Sequence, residues 1–401
     1  ATRPSASNRI TMGFIGMGGM GRGDMGAFLG NDEVQVVAVC DVDENRLEQA
    51  RREVDQHYSA LQPEGYKGCA AYKDFREVIA RDDIDTIMMA TPDHWHALVV
   101  CEAARAGKDI YGEKPLSLTI EQGRIMSDTV RRYGRVFQTG SQQRSSRQFR
   151  FACELVRNGR IGKLEKIFVG LPGCKATDIL PAKPAPEELD YDFWLGPAPW
   201  APYHDRRCHW NFRYNYDYSG GHVTDWGAHH CDIAQWGMGS EYSGPVEVEG
   251  EGVFPEDGAF NVVTSYTFTC TYADGIQMIC SSGFEQGVKF EGTEGWLFVS
   301  RSRIDASPKS LLTSVIGPNE IHLYKSDNHH ADFIECVKSR REPVAPIEQA
   351  HRTITVAHLG NIALLLGRKI RWNPQREEFV NDPEAERCFI TSRAMRSPWG
   401  L

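Results

Sequence analysis

Two short stretches of this 401-residue chain carry side chains suited to moving a proton. The first is Gly112-Glu113-Lys114-Pro115, where Lys114 falls at the carboxyl end of an expected strand. An ammonium there can hydrogen-bond an alcohol and stabilise the alkoxide as charge develops on oxygen. The plainer alternative is a solvated surface lysine. The second is Gly220-Gly221-His222-Val223-Thr224-Asp225-Trp226-Gly227-Ala228-His229-His230-Cys231-Asp232, which reads as a helix opening behind paired glycines. Asp225 and His229 are four residues apart and share one face of such a helix. An imidazole oriented by a carboxylate makes a competent general base near neutral pH. A metal site would need ligands from elsewhere, because His230 and Cys231 point off that face, so no metal is expected. A helix cap with buried polar partners is the other reading.

A third stretch says what such a pair would work with. Residues 10–41 run as strand, glycine turn, helix, strand and acid. Gly16, Gly18 and Gly21 complete a G-x-G-x-x-G directly after the apolar run 11–15. Gly16 permits the tight turn, Gly18 lets backbone approach a diphosphate, and Gly21 lets the helix pack on the strand. Met17, Gly19 and Met20 complete the cradle, whose helix amides and dipole favour negative charge. Asp41, 20 residues after Gly21, stands where a carboxylate bonds the adenosine ribose hydroxyls. A 2′-phosphate would meet Asp41 and Asp43 with like charge, so NAD is expected rather than NADP.

These residues need elements to hold them. Residues 84–90 form a continuous apolar strand ending in Thr91-Pro92-Asp93-His94-Trp95-His96, and a helix over 96–106 follows. Strands over 109–111 and 136–139 flank a helix over 119–132. Alternating strands and helices to Gly140 describe a doubly wound parallel sheet, an α/β fold that binds ligands beyond the carboxyl ends of its strands. Those ends are residues 16–21, Asp41, 91–96, 113–115 and 140–144. After Gly140 the texture changes to α+β: helix 148–156, strand 164–169, a Pro-, Tyr- and Trp-rich loop over 173–219, then strands over 246–253, 262–272, 276–280 and 295–300. Ala273-Asp274-Gly275 is a hairpin turn. Helices over 327–339 and 347–366 come late, the pair His329-His330 marking a helix start. The expected division is a tail over 1–9, a Rossmann domain over 10–140 and a second domain over 141–401 with an open, mainly antiparallel sheet.

Composition narrows the class. A chain of 401 residues suits two domains, and 41% hydrophobic with 25% charged residues describes a globular protein. A net charge of −9 argues against nucleic acid or an anionic membrane surface as partner, and no apolar run approaches the roughly 20 residues that span a bilayer. The 11 cysteines are scattered without a C-x-x-C pair, which is no disulfide framework. The first residues, ATRPSASNRI, read as a trimmed precursor or the edge of an expressed segment. Between Tyr191 and Trp226 stand 11 aromatics in 36 residues, about threefold above the chain's 10%. Flat apolar faces with polar rims suit a sugar; a satellite core beneath a long loop is the alternative.

Together these residues resemble the Gfo/Idh/MocA oxidoreductase family, named for glucose–fructose oxidoreductase and inositol dehydrogenase and including glycoside 3-dehydrogenases. The glycine turn, TPDHWH, GEKP and the GG…D-x-G-x-H stretch occur in the family's order. DFWLGPAPW, YSGGHVTDWGAHHCDIAQWG and EGTEGWLFV resemble a bacterial branch whose members are often exported. The resemblance implies that Lys114 is the catalytic lysine, His229 the general acid/base and Asp225 a substrate-binding or orienting carboxylate. It places Thr91, Pro92, His96 and Glu113 along the cofactor, and Gln142 and Arg144 near the nicotinamide or substrate. Many relatives carry a third glycine where this chain has His222, and its i, i+3, i+7 spacing with Asp225 and His229 makes it a candidate for the same pocket. The implied protein is a periplasmic, carbohydrate-oxidising homo-oligomer, dimer or tetramer, keeping NAD tightly bound after export through the twin-arginine route; a cytoplasmic location is the alternative. Two other classes stay open: an NAD-dependent glycosidase, using His222 or a loop tyrosine such as Tyr216 as an extra acid/base, and a non-catalytic dinucleotide-dependent sugar-binding protein.

Overall fold

A computed structural model describes residues 8–61 and 66–401, so most of the expected tail lies outside the described residues. The first unit alternates as expected: β1 (Ile10–Ile15), α1 (Gly19–Leu29), β2 (Val34–Cys40), α2 (Glu44–Leu61), β3 (Ala70–Tyr72), α3 (Phe75–Ile79), β4 (Thr86–Met89), α4 (Asp93–Arg105), β5 (Asp109–Gly112), α5 (Ile120–Arg132) and β6 (Phe137–Thr139). Its strands pair in parallel in the order β3-β2-β1-β4-β5-β6. All four residues of β4 and of β5 are buried, as strands covered on both faces must be. Helix α4 starts at Asp93, three residues ahead of the expected start at 96. Pro92, extended at φ −61° and ψ 152°, supplies its N-cap, so the acid and aromatic residues of TPDHWH fill its first turn.

The second unit runs α6 (Arg147–Arg157), β7 (Leu164–Gly170), α7 (Tyr191–Leu195), α8 (Gly221–Asp225), α9 (Gly227–Met238), β8 (Glu247–Val253), β9 (Ser265–Thr271), β10 (Gln277–Ser281), β11 (Gly287–Gly292), β12 (Gly295–Val299), β13 (Ile304–Ser307), α10 (His329–Ser339), α11 (Ile347–Leu366), β14 (Ile370–Asn373), β15 (Glu378–Phe379) and α12 (Pro383–Glu386). Its nine strands lie in the order β13-β12-β11-β7-β10-β9-β8-β14-β15, antiparallel except where β10 meets β7. Burial alternates along β9, with Tyr266, Phe268 and Cys270 turned inward. Gly360 of α11 lets the helix lie on this face, since a β-carbon there would stand 2.6 Å from the Phe268 ring.

The sequence reading missed β3, β11, β13, β14 and β15. Each is six residues or shorter, and β11 (GVKFEG) is bounded by glycines that hide its alternation.

The two units are tied by a half-buried ionic knot. Arg124 of α5 reaches Glu348 of α11 and Glu377, at 2.8 Å each, and Ser127 donates to Glu348 at 2.7 Å. Against the upward pull of burial, the Arg124 and Ser127 hydrogen bonds hold the Glu348 carboxyl down at about 2. A carboxyl depressed from an ordinary 4.5 stabilises the fold above that pH, and the contribution disappears as pH falls toward 2. Replacing Arg124 by Leu removes one of the two arginines on these carboxylates, since Arg352 stays 2.9 Å from Glu348 and 2.7 Å from Glu377. Stability at pH 7 should then fall by about 1 kcal/mol, the scale for an ion pair whose carboxylates keep another partner. The deficit should shrink as those carboxyls protonate, so urea midpoints of wild type and variant at pH 7 and pH 4 check both size and sign.

Candidate active site

Where β1 ends, Gly16 takes φ +88°, and a β-carbon there would stand 2.7 Å from the Ala90 carbonyl. A β-carbon on Gly21 would lie 1.9 Å from the Gly16 oxygen, so only glycine lets α1 come this close to the turn. Helix α1 opens at Gly18 with no side chain capping it, which leaves its first amides open beside Gly18, Gly19 and Met20 in a cleft of about 670 Å³. An uncapped helix behind a cradle that a β-carbon would fill fits a dinucleotide diphosphate. Met17 takes part through its backbone alone: its side chain is buried and its N–H donates to Asp41 Oδ2 at 2.6 Å. Asp41 lines the cleft and also accepts from the Asp43 amide at 2.9 Å, so it braces the turn it was expected only to face. A carboxylate has about four acceptor positions, which leaves two for a ribose. Burial raises the Asp41 carboxyl above its usual range.

At the other end of the cleft, Lys114 leaves the carboxyl end of β5 and its Nζ donates to Asp225 Oδ1 at 2.6 Å. Their side chains are 13% and 9% exposed, so the solvated-lysine alternative fails. Arg213 Nε stands 3.6 Å from the same oxygen, and His222 Nδ1 stands 3.7 Å from Oδ2. Burial would raise the Asp225 carboxyl, but Lys114, His222 and Arg213 hold it well below the usual carboxylate range. The expected orientation of His229 by Asp225 is therefore corrected: Asp225 serves Lys114. Helix α8 stops at Asp225 and α9 begins at Gly227, so the four-residue spacing does not lie on one continuous helix. His229 still lines the cleft, with Nδ1 buried and unpartnered. Burial, then Lys114 and Arg301, push its imidazole well below 6.5, so it is neutral at pH 7.

Thr91, Pro92 and Gln142 line the cleft as read from sequence. Four other expected residues do not. His96 is buried and staples two turns, with Nδ1 2.8 Å from the Pro115 oxygen and Nε2 2.8 Å from the Thr91 oxygen. Arg144 lies in the turn Gln142–Ser145, which rotates it into the core, where it forms a fork with Asp232 at 2.6 and 2.7 Å over the Trp236 ring. Tyr216 is buried against Asn361 and Phe389; Tyr214, two residues earlier, is the tyrosine that meets His222, at 3.3 Å. Glu113 sits behind the wall with its carboxyl against Gly140, where a β-carbon would come within 2.0 Å of Oε1. Burial, with Asp24 nearby, pushes that carboxyl up to about 8, so it is mostly neutral at pH 7. His230 and Cys231 turn inward, His230 to the Gly170 oxygen at 2.8 Å. No group of three or more His, Cys, Asp or Glu side chains is set to hold a metal ion among the described residues.

The aromatic loop divides between its two readings. Trp194, Leu195, Tyr203 and Tyr218 make a small separate core, while Phe193, Trp194, Trp210 and Phe212 reach the cleft. The loop is also a strap. The Glu44 amide donates to the Glu188 oxygen at 2.9 Å, the Asp190 amide to the Val42 oxygen at 3.0 Å, and His209 Nε2 stands 3.5 Å from Asp43. Arg46, Lys73, His209, Arg213 and Arg301 line the cleft without having been read from sequence, as lone basic residues outside any motif.

Comparison with known proteins gives a consistent picture. Residues 10–141 match the model of an oxidoreductase family's NAD-binding Rossmann fold, and residues 173–401 match its C-terminal α/β domain. The uncharacterised oxidoreductase YrbE of Bacillus subtilis is 24% identical over 74% of this chain and 75% of its own length. A glycosyl hydrolase family 109 protein of Shewanella pealeana is 31% identical over 39% of this chain, a match spanning only a third of that relative's length. Among solved structures, the WlbA dehydrogenase of Bordetella pertussis, in complex with NADH and UDP-GlcNAcA, superposes with a TM-score of 0.66 at 17% identity, covering 91% of this chain and 99% of that one. The aldose–aldose oxidoreductase of Caulobacter crescentus gives 0.65 at 19% identity over 90% and 99%. At such identities the structures establish the fold.

The glycine turn yields a direct check. Gly21→Val forces α1 away from the Gly16 carbonyl, and NAD affinity read by tryptophan quenching should weaken by more than about tenfold, roughly 1.4 kcal/mol. Unchanged affinity would show that the cofactor does not rest on this turn.

Proposed function

The chain belongs to the Gfo/Idh/MocA oxidoreductase family, and from that premise we propose that it is an NAD-dependent oxidoreductase that converts a ring hydroxyl of a sugar or glycoside to a ketone, with C3 as the carbon oxidised. The observation that carries this reading is the ion pair of Lys114 and Asp225, set in one cleft between an open glycine turn and a neutral His229. The carbohydrate named with WlbA and the aldose named with the Caulobacter enzyme support the substrate class.

When bound, NAD supplies the acceptor for the hydride that leaves the carbinol carbon. The remaining work falls to side chains of this chain. Lys114 donates to the substrate hydroxyl, and Asp225 keeps its Nζ aimed. His229, neutral through physiological pH, takes the hydroxyl proton as the C–H and O–H bonds break and the C=O bond forms. Lys114 offsets the charge that grows on oxygen, and does so strongly because the site is buried. Trp210, Phe212 and Trp226 bring apolar surface to the cleft, with Arg213 over the first two rings at 4.3 and 4.8 Å and Arg301 over the third at 4.8 Å. Asp41 and Asp43 favour NAD, since a 2′-phosphate would meet both carboxylates, and Arg46 is matched by Asp43 at 3.8 Å. The strap over 186–214 supports tight retention of the cofactor. A second copy is assigned to the open sheet face, where Phe298, Lys289, Phe168 and Ile279 stand in one cross-strand row.

A redox-assisted glycosidase is the second reading, favoured by the family 109 relatives and by His222 in the cleft, backed by Tyr214. Release of an aglycone without lasting reduction of cofactor marks that class.

Lys114→Ala should lower turnover by about 10²- to 10³-fold, the scale for losing one donor to a developing oxyanion, while NAD stays bound. Unchanged turnover would end the assignment. Because the His229 imidazole is held below 6.5, its basic form persists through neutral pH, and the acid limb of kcat/KM should lie below pH 6.5.

A further inference from the structure

Charges at the substrate end of the cleft do not balance. Lys114 and Arg213 share Asp225, while Glu113 behind them is mostly neutral. Arg301 also lines the cleft, after the end of β12, and has no carboxylate within 4.0 Å among the described residues. An exposed arginine is ordinarily just solvated. This one is held: its Nε donates to Gln143 Oε1 at 3.0 Å, and its guanidinium lies 4.8 Å over the Trp226 ring. Gln143 is buried and donates in turn to the His229 carbonyl at 3.3 Å, so the anchor belongs to the wall that carries the general base. A guanidinium fixed by its face and its Nε keeps both Nη groups as a preformed fork, which matches a carboxylate in two hydrogen bonds. The glycine turn, where a diphosphate fits, is at the other end of the cleft, so Arg301 is not needed there.

We propose that Arg301 binds a carboxylate on the substrate, which makes the preferred sugar a glycuronic acid or its glycoside. This rests on reading the cleft as a sugar-oxidising site and adds the substrate's charge. Arg301 selects and orients; the proton and hydride chemistry stays with His229, Lys114 and the cofactor.

The test compares matched ligands on the purified full chain with NAD: methyl glucoside, methyl glucuronide and methyl glucoside 6-sulfate, repeated in the galacto and manno series. The uronide should exceed its neutral partner by about ten- to hundredfold in kcat/KM, mostly through KM, the range for one charge-assisted hydrogen-bond pair. Arg301→Gln should collapse that ratio and Arg301→Lys should restore part of it, because lysine keeps the charge and loses the fork. In the wild type, KM for the uronide should rise with salt while that for the glucoside stays level. A 6-sulfate preferred over the uronide would overturn the carboxylate assignment in favour of an ester oxyanion. Equal kcat/KM for glucoside and uronide would overturn this inference and leave sugar oxidation standing. Uronide binding, read by tryptophan quenching and lost in Arg301→Gln, with no turnover of any sugar, would sustain the anion site and overturn the reaction. Neither binding nor turnover would overturn both.

Discussion

Everything in this molecule converges on one short ion pair, in which Lys114 from the parallel sheet meets Asp225 from the second unit at 2.6 Å. Burying two charges carries a desolvation penalty that their attraction often fails to recover, so such a pair is weak evidence for stability. Its value lies in placement. Asp225 holds the Lys114 side chain fixed at the point where the two units meet, and neither unit alone makes the site. The knot of Arg124, Glu348 and Glu377 and the staple made by His96 keep that meeting point constant.

The surroundings then separate the protonation states of neighbouring groups. Asp225 stays ionised, Glu113 is mostly neutral and His229 is an unprotonated imidazole, all at pH 7. Burial pushes all three toward neutrality; only Asp225 has enough cationic partners to resist. A fixed cation near an imidazole kept unprotonated by burial and by its cationic neighbours is an arrangement for removing a proton while holding the oxygen left behind. The strap from the second unit reaches Val42, Asp43 and Glu44, so the same segment that brings aromatic rings to the cleft is also tied to the loop that follows Asp41.

Much of this is legible in the chain because the signals are local. The glycine turn, Asp41, Lys114 and His229 sit within short stretches whose backbone shape follows from their own residues. What sequence misplaces depends on how elements end or turn. Asp225 and His229 read as one helical face, but the break at Trp226 frees Asp225 to face Lys114, 111 residues away. Arg144 reads as a cleft residue from its place after β6, yet a single 3-10 turn swings it onto Asp232. Arg301 carries no signal at all, since its setting is made by Trp226 and Gln143, both distant in the chain.

The most direct test of the central claim is isotope transfer. Purified protein is given NAD and a methyl glycoside or its uronide deuterated at C3, and cofactor and sugar masses are read together. The account predicts one deuterium on the reduced cofactor and a sugar that has lost both the deuterium and a proton, its glycosidic bond intact. Bound NAD that gains no deuterium, with every sugar recovered unchanged, would contradict it.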